Sequence, residues 1–421
     1  MNASSAADGR RRASRTAVGL CALLALTGSL TTSCAPSAEY DPAAACVWMA
    51  EMPTEAARHG QTAILVDSSA SVRGTKPSAE GVDYTDAISP LLAKMIERGD
   101  TVSVGTFGGN SGKVTWTARK QSAAWKASDP NPGNQQENRD AAAECLTGHV
   151  AEAESKLPAH GGTDVLAAMA AGAAGLGDAD GRERRLLVLT DGLSTTGCAD
   201  LREAGFRDEP EIKAIARVCD AREEIPALRE VDVTFVGLAQ SATDTPAAKP
   251  AQRNWLAELW TTLCEEGGGS CTVQDTPVDT AAAPSGKDPA PAEPVVRYGE
   301  DGVRTYSLPG AALFDTNSSR VRPKAVPMLT DIAVSARTLD LDRVVVKGYV
   351  DPRGTSGNNK QLSQARADAV RDVLVDLGVS PVEAEGEGLA RDCPEESGSA
   401  GTSDEERLQC RRRVDIEIIE K

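Results

Sequence analysis

Short apolar runs alternate with amphipathic stretches along most of residues 60–270. TAILVD, TVSVGTF, RRLLVLTD and VDVTFVGLA have the length and apolar character of buried strands, and KVTWTA is predicted as an edge strand. AISPLLAKMIERGD, residues 137–156, a stretch from Asp164 and NWLAELWTTLC are predicted as helices, and the polar segment between Asp191 and Val231 as disordered. Alternation of this kind predicts an α/β fold: a doubly wound, mostly parallel, Rossmann-like sheet with helices on both faces.

The pattern changes after residue 270. Residues 271–294 are rich in Pro, Ala, Thr and Asp and lack apolar periodicity, which is typical of a semi-stiff linker. Residues 295–421 return to alternating strands and helices and end on the apolar run RRRVDIEII. We therefore expect two globular domains, over 60–270 and 295–421, of which the second is the smaller α/β domain.

The N-terminus has the pattern of an export signal. A basic region is followed by AVGLCALLALTGSL, an apolar run too short to span a membrane, and then by LTTSC. This ending resembles the lipobox of bacterial lipoproteins, which implies a signal peptide over 1–33, a diacylglyceryl group on Cys34 and a tether over 34–59. The alternative is a cleaved secretory signal with an incidental cysteine. Export by the Sec or the twin-arginine route stays open.

Charge and cysteine usage narrow the function classes. The formal net charge of -17 argues against nucleic acid as a partner, because phosphate binding is driven by Lys and Arg. Ten cysteines, less Cys21 in the signal and Cys34, leave an even number for disulfides in an exported protein. Those that remain form no CxxC pair, and three histidines are present, so a zinc site is not expected.

Oxygen-bearing side chains follow three elements of the predicted sheet. Asp67, Ser69 and Ser71 come directly after the first strand, Thr163 opens a helix, and Asp191 ends a later strand. Ligands of open α/β sheets collect beyond the carboxyl ends of the strands, and oxygens are the ligands of hard dications. Neutral hydroxyls would leave such a cation able to accept a further carboxylate from a partner. The alternative is that these residues cap helices or lie in a turn.

DxSxS, a later Thr and a later Asp in this order resemble the von Willebrand factor A (VWA) family. The resemblance covers about residues 60–265 and implies a metal-ion-dependent adhesion site (MIDAS). It implies direct contact of Ser69 and Ser71 with the cation, and contact of Thr163, Asp67 and Asp191 directly or through water. The expected cation is Mg²⁺, with Mn²⁺ and Ca²⁺ as alternatives, and the expected ligand is an unidentified protein.

The stretch VVVKGYVDPRGTSGNNKQLSQARADAVRDVL resembles the C-terminal domain of the OmpA family, which is shared by MotB-like proteins. The family pattern GxTDxxGxxxxNxxLSxxRA aligns without a gap, apart from Val350 in place of Thr. The resemblance implies peptidoglycan binding: Asp351 accepts the ammonium of a diaminopimelate side chain, and Arg366 pairs with its carboxylate. Asn359 and Ser363 are expected to hold the loop. Arg411 departs from the usual Asn or Asp, and the alternative is a plain ion pair between Asp351 and Arg366.

Disulfide pairing is only partly constrained by the sequence. Related OmpA-type domains carry a bridge around a comparable insertion, which implies pairing of Cys393 with Cys410. Cys198 with Cys219 is one candidate pair, and Cys46 with either Cys264 or Cys271 is another; Cys145 is left without a candidate, and the pairing of all six stays open.

The chain contains no GxxxxGKS loop, DxD pair or GxSxG elbow, so we do not expect an enzyme. The sequence predicts an exported protein, lipid-anchored on the outer face of a bacterial membrane and associated with the cell wall. It would bind peptidoglycan through one domain and a protein partner through the other. The main rival is a membrane-to-wall spacer with a purely structural metal, and a more distant one is a metal-dependent wall hydrolase.

Overall fold

The computed structural model describes residues 46–47, 60–109, 113–123, 131–177, 182–282, 290–352, 356–390 and 411–421. Cys34, Cys393 and Cys410 lie outside these residues, and with them the predicted lipid anchor and the predicted C-terminal disulfide. Within the described part of the chain, no helix combines the length and the apolar character needed to cross a bilayer.

The first sheet contains six strands in an order typical of doubly wound folds. These are β1 (Gln61–Asp67), β3 (Thr101–Phe107), β4 (Thr115–Ser122), β5 (Arg184–Leu189), β6 (Val231–Val236) and β7 (Ser270–Gln274). Their spatial order is β4-β3-β1-β5-β6-β7, and every neighbouring pair is parallel except β3 and β4. The predicted mostly parallel sheet, with KVTWTA at its edge, is thus confirmed.

Helices cover both faces of this sheet. They are α1 (Ala70–Arg73), α2 (Thr85–Arg98), α3 (Pro132–Ser155), α4 (Val165–Gly175), α5 (Glu209–Ala221) and α6 (Pro250–Glu266), with a 3₁₀ turn at Leu201–Glu203. Side chains alternate along the fully buried β1: Ala63 and Leu65 join one core, whereas Ile64 and Val66 join the other. The strand is apolar from Ala63 to Val66 because both of its faces are covered there.

Helix α5 corrects the prediction that residues 192–230 are disordered. The Asp208 side chain accepts a hydrogen bond from the Glu211 N–H and so caps the helix. Ile212 and Ile215 are spaced for one helical face and lie in the core. The polar residues that flank this short apolar face hid its periodicity.

The stretch over 271–294, predicted to be a linker, carries regular structure. β7 begins at Ser270, and β8 (Asp279–Ala282) pairs antiparallel with β2 (Glu80–Asp83). Beyond the stretch, Val296 and Tyr298 are buried, and the Tyr298 ring lies 5.0 Å from that of Phe206. The described residues on both sides of 283–289 therefore contact the first domain.

The second domain is a four-stranded sheet with helices. Its strands are β9 (Val303–Pro309), β10 (Leu341–Val350), β11 (Val382–Leu389) and β12 (Arg413–Glu420), in the order β11-β10-β12-β9. β10 and β11 are parallel, and the other pairs are antiparallel. The helices are α7 (Gly310–Leu313), α8 (Val326–Arg337) and α9 (Ser356–Asp376), with a 3₁₀ turn at Pro323–Ala325.

The two domains share one continuous apolar core. Ile212 and Ile215 of α5 belong to the same buried cluster as Tyr306 of β9 and Leu329 of α8. A buried charge lies in this contact: Arg304, only 1% exposed, has its guanidinium 3.5 Å from Glu211 and 3.2 Å from Glu420. Packing of this kind fixes the domains against each other.

Three disulfides join described residues: Cys46–Cys145, Cys198–Cys219 and Cys264–Cys271. The candidate pair Cys198–Cys219 is confirmed. Pairing of Cys46 with Cys264 or Cys271 is wrong, because the turn between α6 and β7 brings Cys264 and Cys271 together. Cys46 instead reaches α3, which packs on the opposite face of the sheet from α6.

Candidate functional site

The carboxyl edge of the six-stranded sheet gathers the five residues predicted to hold a cation, which we call the oxygen cluster: Asp67, Ser69, Ser71, Thr163 and Asp191. Asp67 ends β1, and its two carboxylate oxygens accept hydrogen bonds from the Ser69 N–H (2.8 Å) and from the Thr190 hydroxyl (2.6 Å). Thr190 and Asp191 directly follow β5, the parallel neighbour of β1. The sheet register therefore brings the two aspartates to the same place.

The hydroxyls of the oxygen cluster are not used as helix caps. Ser69 occupies the N-cap position of α1 without a capping hydrogen bond, and its Oγ lies 3.1 Å from that of Ser71. Helix α4 is capped by Asp164, which accepts from the Ala167 N–H, rather than by Thr163. The capping alternative does not describe the hydroxyls of Ser69 and Thr163.

Asp191 is held from both sides. Its Oδ1 accepts from the Leu193 N–H at 3.0 Å, as a turn residue would, while its Oδ2 accepts from the Ser241 hydroxyl at 2.7 Å. The nearby Ser71 side chain acts against the effect of burial by lowering the pKa of this carboxylate. The contacts fix both oxygens of a side chain that is 0% exposed.

Two carboxyl groups are thus buried side by side. Burial first, and then the charge of Asp191, raises the pKa of Asp67 to about 8, against the hydrogen bonds from Thr190 and Ser69. Burial likewise raises the pKa of Asp191. The hydrogen-bond partners that the structure gives the pair are hydroxyls and backbone N–H groups. Two carboxylates and three hydroxyls fit the preference of a hard dication for oxygen, and its charge would offset theirs.

A third carboxyl group, which the sequence did not indicate, reaches the same edge. Glu293 accepts hydrogen bonds from the Ser71 N–H (2.7 Å), the Gly162 N–H (3.2 Å) and the Thr163 hydroxyl (3.1 Å). It lies in AEPVV, at the end of the Pro-rich segment, where composition gives no sign of a site.

The second candidate site, the Asp351 pocket, consists of Asp351, Arg366 and Arg412. Asp351 follows β10, is 6% exposed, and its Oδ2 lies 3.2 Å from the Nε of Arg412. Sequence reasoning missed Arg412 and singled out its neighbour Arg411. The run RRR at 411–413 signals basic residues near the pocket but not which one faces it.

Arg366 enters the Asp351 pocket from helix α9. Its Nε donates to the backbone oxygen of Ser318 at 3.0 Å, and its guanidinium lies 5.1 Å from the ring centre of Phe314. Burial first, and then Arg412, lowers the pKa of Arg366, while Asp351 opposes this. Within the described residues the Arg366 guanidinium bonds to Ser318 rather than to Asp351, so the two predicted residues are not a simple closed ion pair.

The loop and helix around the pocket are held by the remaining motif residues. The Asn359 amide donates to the backbone oxygen of Asp351 at 3.4 Å, and the Ser363 hydroxyl accepts from the Gly388 N–H at 3.0 Å. A Cβ at Gly348 would lie 2.2 Å from the backbone oxygen of Ser363. Glycine at this position therefore allows α9 to approach β10 and sets the distance between Asp351 and Arg366.

Comparison with known proteins places the second domain. The OmpA family model matches residues 313–407. Outer membrane protein A of Serratia odorifera is 34% identical over 181 residues, which cover 39% of this chain and 74% of that protein. Outer-membrane lipoprotein YfiB of Pseudomonas aeruginosa is 30% identical over 105 residues (24% of this chain, 62% of YfiB). The peptidoglycan-associated lipoprotein of Pseudomonas putida is 34% identical over 103 residues (24% of this chain, 59% of that protein).

The chain thus spans about three fifths of each of these two lipoproteins. The family match begins in α7 and contains Asp351 and Arg366, so the motif, the fold of the second domain and the comparison agree on the same region. On this basis the chain belongs to the OmpA family, and its family domain lies at the C-terminal end.

Proposed function

We propose that this chain is a cell-envelope protein that binds peptidoglycan through the Asp351 pocket and a protein partner through a divalent cation held by the oxygen cluster. The observation that carries the proposal is the separation of Asp351 from Arg366 in an OmpA-family domain. Asp351 pairs with Arg412 and Arg366 donates to the Ser318 backbone, so the two residues have separate partners, which the ammonium and the carboxylate of a ligand would replace.

A diaminopimelate side chain of a peptidoglycan stem peptide suits such a pocket. Its amino-acid end is a zwitterion, and binding it requires an anion for the ammonium and a planar donor for the carboxylate. Asp351 supplies the first and Arg366 the second, and Arg412 adds positive charge beside Asp351. The name of the Pseudomonas putida relative, a peptidoglycan-associated lipoprotein, supports the same ligand.

Sedimentation with purified peptidoglycan tests this assignment. Asp351→Ala and Arg366→Ala each remove a charge-assisted contact of about 1.5–3 kcal/mol, so we expect affinity to fall at least about tenfold. Arg371→Ala is the matched control, because Arg371 lies on the same helix and pairs at the surface with Asp368. Undiminished sedimentation of both pocket variants would remove the ligand assignment.

The cation half of the proposal rests on the oxygen cluster and on the resemblance to VWA domains. The strand order, with one antiparallel strand at the edge, and the convergence of hydroxyls with two buried carboxylates support it. Mg²⁺ suits this ligand set, and Mn²⁺ and Ca²⁺ are alternatives. A cation held largely by neutral oxygens keeps attraction for one more carboxylate, which a protein partner would bring.

Calorimetric titration with Mg²⁺ and Mn²⁺ tests the cation, with Asp67→Ala as the variant expected to abolish binding. Capture from envelope extract with and without EDTA tests the partner. A cation-dependent partner supports adhesion, whereas cation binding without any partner favours a membrane-to-wall spacer with a structural metal. Release of soluble muropeptides from purified wall would instead indicate a hydrolase.

We further propose that a lipid on Cys34 anchors the chain to the outer face of a bacterial membrane. The sequence LTTSC and the two relatives named as lipoproteins support this. Metabolic labelling with a fatty acid should mark the wild type and not Cys34→Ala, and the variant should move to the soluble fraction. An unlabelled wild type would leave a cleaved secretory signal as the explanation.

A further inference from the structure

Glu293 is the residue whose position the cation proposal leaves unexplained. It belongs to the segment between the domains, yet its carboxylate contacts two members of the oxygen cluster: Oε1 accepts from the Ser71 N–H and Oε2 from the Thr163 hydroxyl. The Gly162 N–H donates to the same Oε2. These donors lie 130 or more positions away in the sequence, so the contact is tertiary and not a local turn.

The backbone around Glu293 is seated against the first domain. A Cβ added at Gly161 would lie 1.9 Å from the Ala292 carbonyl oxygen and 3.2 Å from the Glu293 nitrogen, so the glycine leaves just enough room for the segment. On the other side of Glu293, Val296 is 3% and Tyr298 is 6% exposed. The carboxylate is therefore delivered by a segment that is packed before and after it.

A carboxylate at this position is electrostatically unfavourable unless a positive charge is also present. Glu293 brings a third carboxyl group to the sheet edge that already holds those of Asp67 and Asp191, and like charges at one place repel each other. The hydrogen bonds from Ser71, Gly162 and Thr163 offset this in part. A divalent cation beside the Ser71 and Thr163 hydroxyls would attract Glu293 as well as the two aspartates and so offset this repulsion.

We propose that Glu293 is an internal ligand of the cation site: the chain's own carboxylate fills the position that a partner's carboxylate would take. The inference rests on the proposed cation site and deepens it. A bound cation then clamps residues 290–298 to the first domain, and a partner gains access by displacing Glu293. Because residue 303 already begins β9, displacement acts on the segment that leads directly into the peptidoglycan-binding domain.

Two variants test separately the charge of the Glu293 side chain and the position of the backbone that carries it. Glu293→Gln keeps the shape and removes the charge. Gly161→Ala keeps all five members of the oxygen cluster and expels the segment that carries Glu293, because its Cβ would clash with Ala292. Glu300→Gln, an exposed glutamate seven positions further along the chain, is the matched control.

The experiment is hydrogen–deuterium exchange of the peptide that covers residues 290–298, in the full chain, with Mg²⁺ or with EDTA. Exchange is normalised to β12, which lies far from the site in the second sheet. Calorimetric titration with Mg²⁺ alone is run in parallel on each protein, so that cation binding is measured independently of the segment.

We expect Mg²⁺ to slow exchange of residues 290–298 by about tenfold in the wild type and in Glu300→Gln, a typical coupling between two sites. In Glu293→Gln and Gly161→Ala the effect should be lost, while Gly161→Ala still binds Mg²⁺. Mg²⁺ binding without any change in exchange, or wild-type protection in Glu293→Gln, would overturn the internal ligand and leave the cation site intact. Absence of Mg²⁺ binding to the wild type would overturn both.

Discussion

The buried position of the Asp67 side chain is unfavourable for the stability of the fold. Its carboxylate is 1% exposed, lies beside Asp191 and receives only neutral hydrogen bonds, so burial raises its pKa to about 8. Burial of a charge without a counter-charge is unfavourable unless another gain accompanies it. At a binding site that gain is the ligand.

Asp67→Asn should therefore separate stability from cation binding. In EDTA we expect the variant to be at least as stable as the wild type, because the amide keeps the shape and cannot ionise beside Asp191. With Mg²⁺ at a hundredfold excess over its dissociation constant, the wild type should gain about 2.7 kcal/mol and the variant nothing. Thermal unfolding with and without Mg²⁺ measures both effects.

Asp232→Asn is the control for this experiment, because Asp232 is an exposed aspartate on strand β6 of the same sheet. It should respond to Mg²⁺ as the wild type does. Equal stabilisation of Asp67→Asn by Mg²⁺ would exclude Asp67 from the cation site.

His149 gives a pH-dependent contribution to stability. Its Nε2 lies 3.2 Å from the Cys46 sulfur, and burial lowers its pKa, although Glu152 opposes the shift. Both cysteine sulfurs near it are joined in a disulfide, so we assign no metal there. A histidine with a lowered pKa in the folded state stabilises it above about pH 6.5, and this contribution is lost as the pH falls.

We accordingly expect His149→Gln to flatten the loss of unfolding free energy between pH 7 and pH 5. Urea unfolding at several pH values measures the slope. His160→Gln, at an exposed histidine, should leave the slope unchanged. If both variants show the wild-type slope, His149 is not the responsible group.

At the scale of single residues, the sequence predicted the oxygen cluster because its members follow elements of one sheet. Parallel strands bring their carboxyl ends to one edge of the sheet. Asp67 and Asp191 therefore lie close together regardless of the conformation of the loops. Glu293 and Arg412 were not predictable in this way. Each reaches its site from a segment whose path depends on tertiary packing, in which Gly161 and β12 take part.

Helices and strands with a regular spacing of apolar residues were predicted closely. Elements that form only by pairing with another strand were not. The helix predicted from Ala87 and closed by Gly99 and Asp100 is observed as Thr85–Arg98, and the φ of its C-cap Gly99 is left-handed at 68°. Strands β7 and β8 are short and polar, and they form because β6 and β2 offer free edges to pair with. Local composition cannot signal such pairing.

The contact between β10 and α9 is the element on which the Asp351 pocket depends. Gly348→Ala would place a Cβ 2.2 Å from the Ser363 backbone oxygen and push apart the strand and helix that carry Asp351 and Arg366. We expect a loss of about 1–3 kcal/mol in stability and weaker sedimentation with peptidoglycan. Urea unfolding and the sedimentation assay measure the two effects.

Gly357→Ala is the matched control on the same helix. A Cβ there meets nothing within 4 Å, so the substitution should raise stability by about 0.5–1 kcal/mol through helix propensity and leave binding unchanged. Wild-type binding by Gly348→Ala would show that the helix position does not set the geometry of the pocket.

The two domains are in closer contact than the predicted linker between them suggested. Residues 271–294 were predicted to be a linker between independent domains, but α5 of the first domain packs into one core with β9 and α8 of the second. The aromatic rings of Phe206, Trp255 and Tyr298 extend this contact, with centroid distances of 4.6 and 5.0 Å. The two sites are therefore held in a fixed relation, and a single cooperative unfolding transition is expected for the wild type.

We expect the stability of the interface between the two domains to depend on the buried charge of Arg304. It lies at 1% exposure between Glu211, which is also 1% exposed, and Glu420. Arg304→Met keeps much of the packing but leaves Glu211 buried without its counter-charge, which typically costs about 3–5 kcal/mol. Adding Glu211→Gln removes the uncompensated charge of Glu211, so the double variant should recover part of the lost free energy of unfolding.

Arg217→Ala is the control for Arg304→Met. Arg217 also crosses from α5 to the second domain, where its Nε lies 3.2 Å from Asp331, but it is 52% exposed and solvent screens the pair. We expect this variant to lose no more than about 1 kcal/mol. Calorimetric unfolding of the wild type and these three variants then distinguishes a buried charge network from ordinary surface pairing. If Arg304→Met loses as little as Arg217→Ala, or unfolds in one transition at the wild-type temperature, the interface does not depend on Arg304 and is held by apolar packing alone.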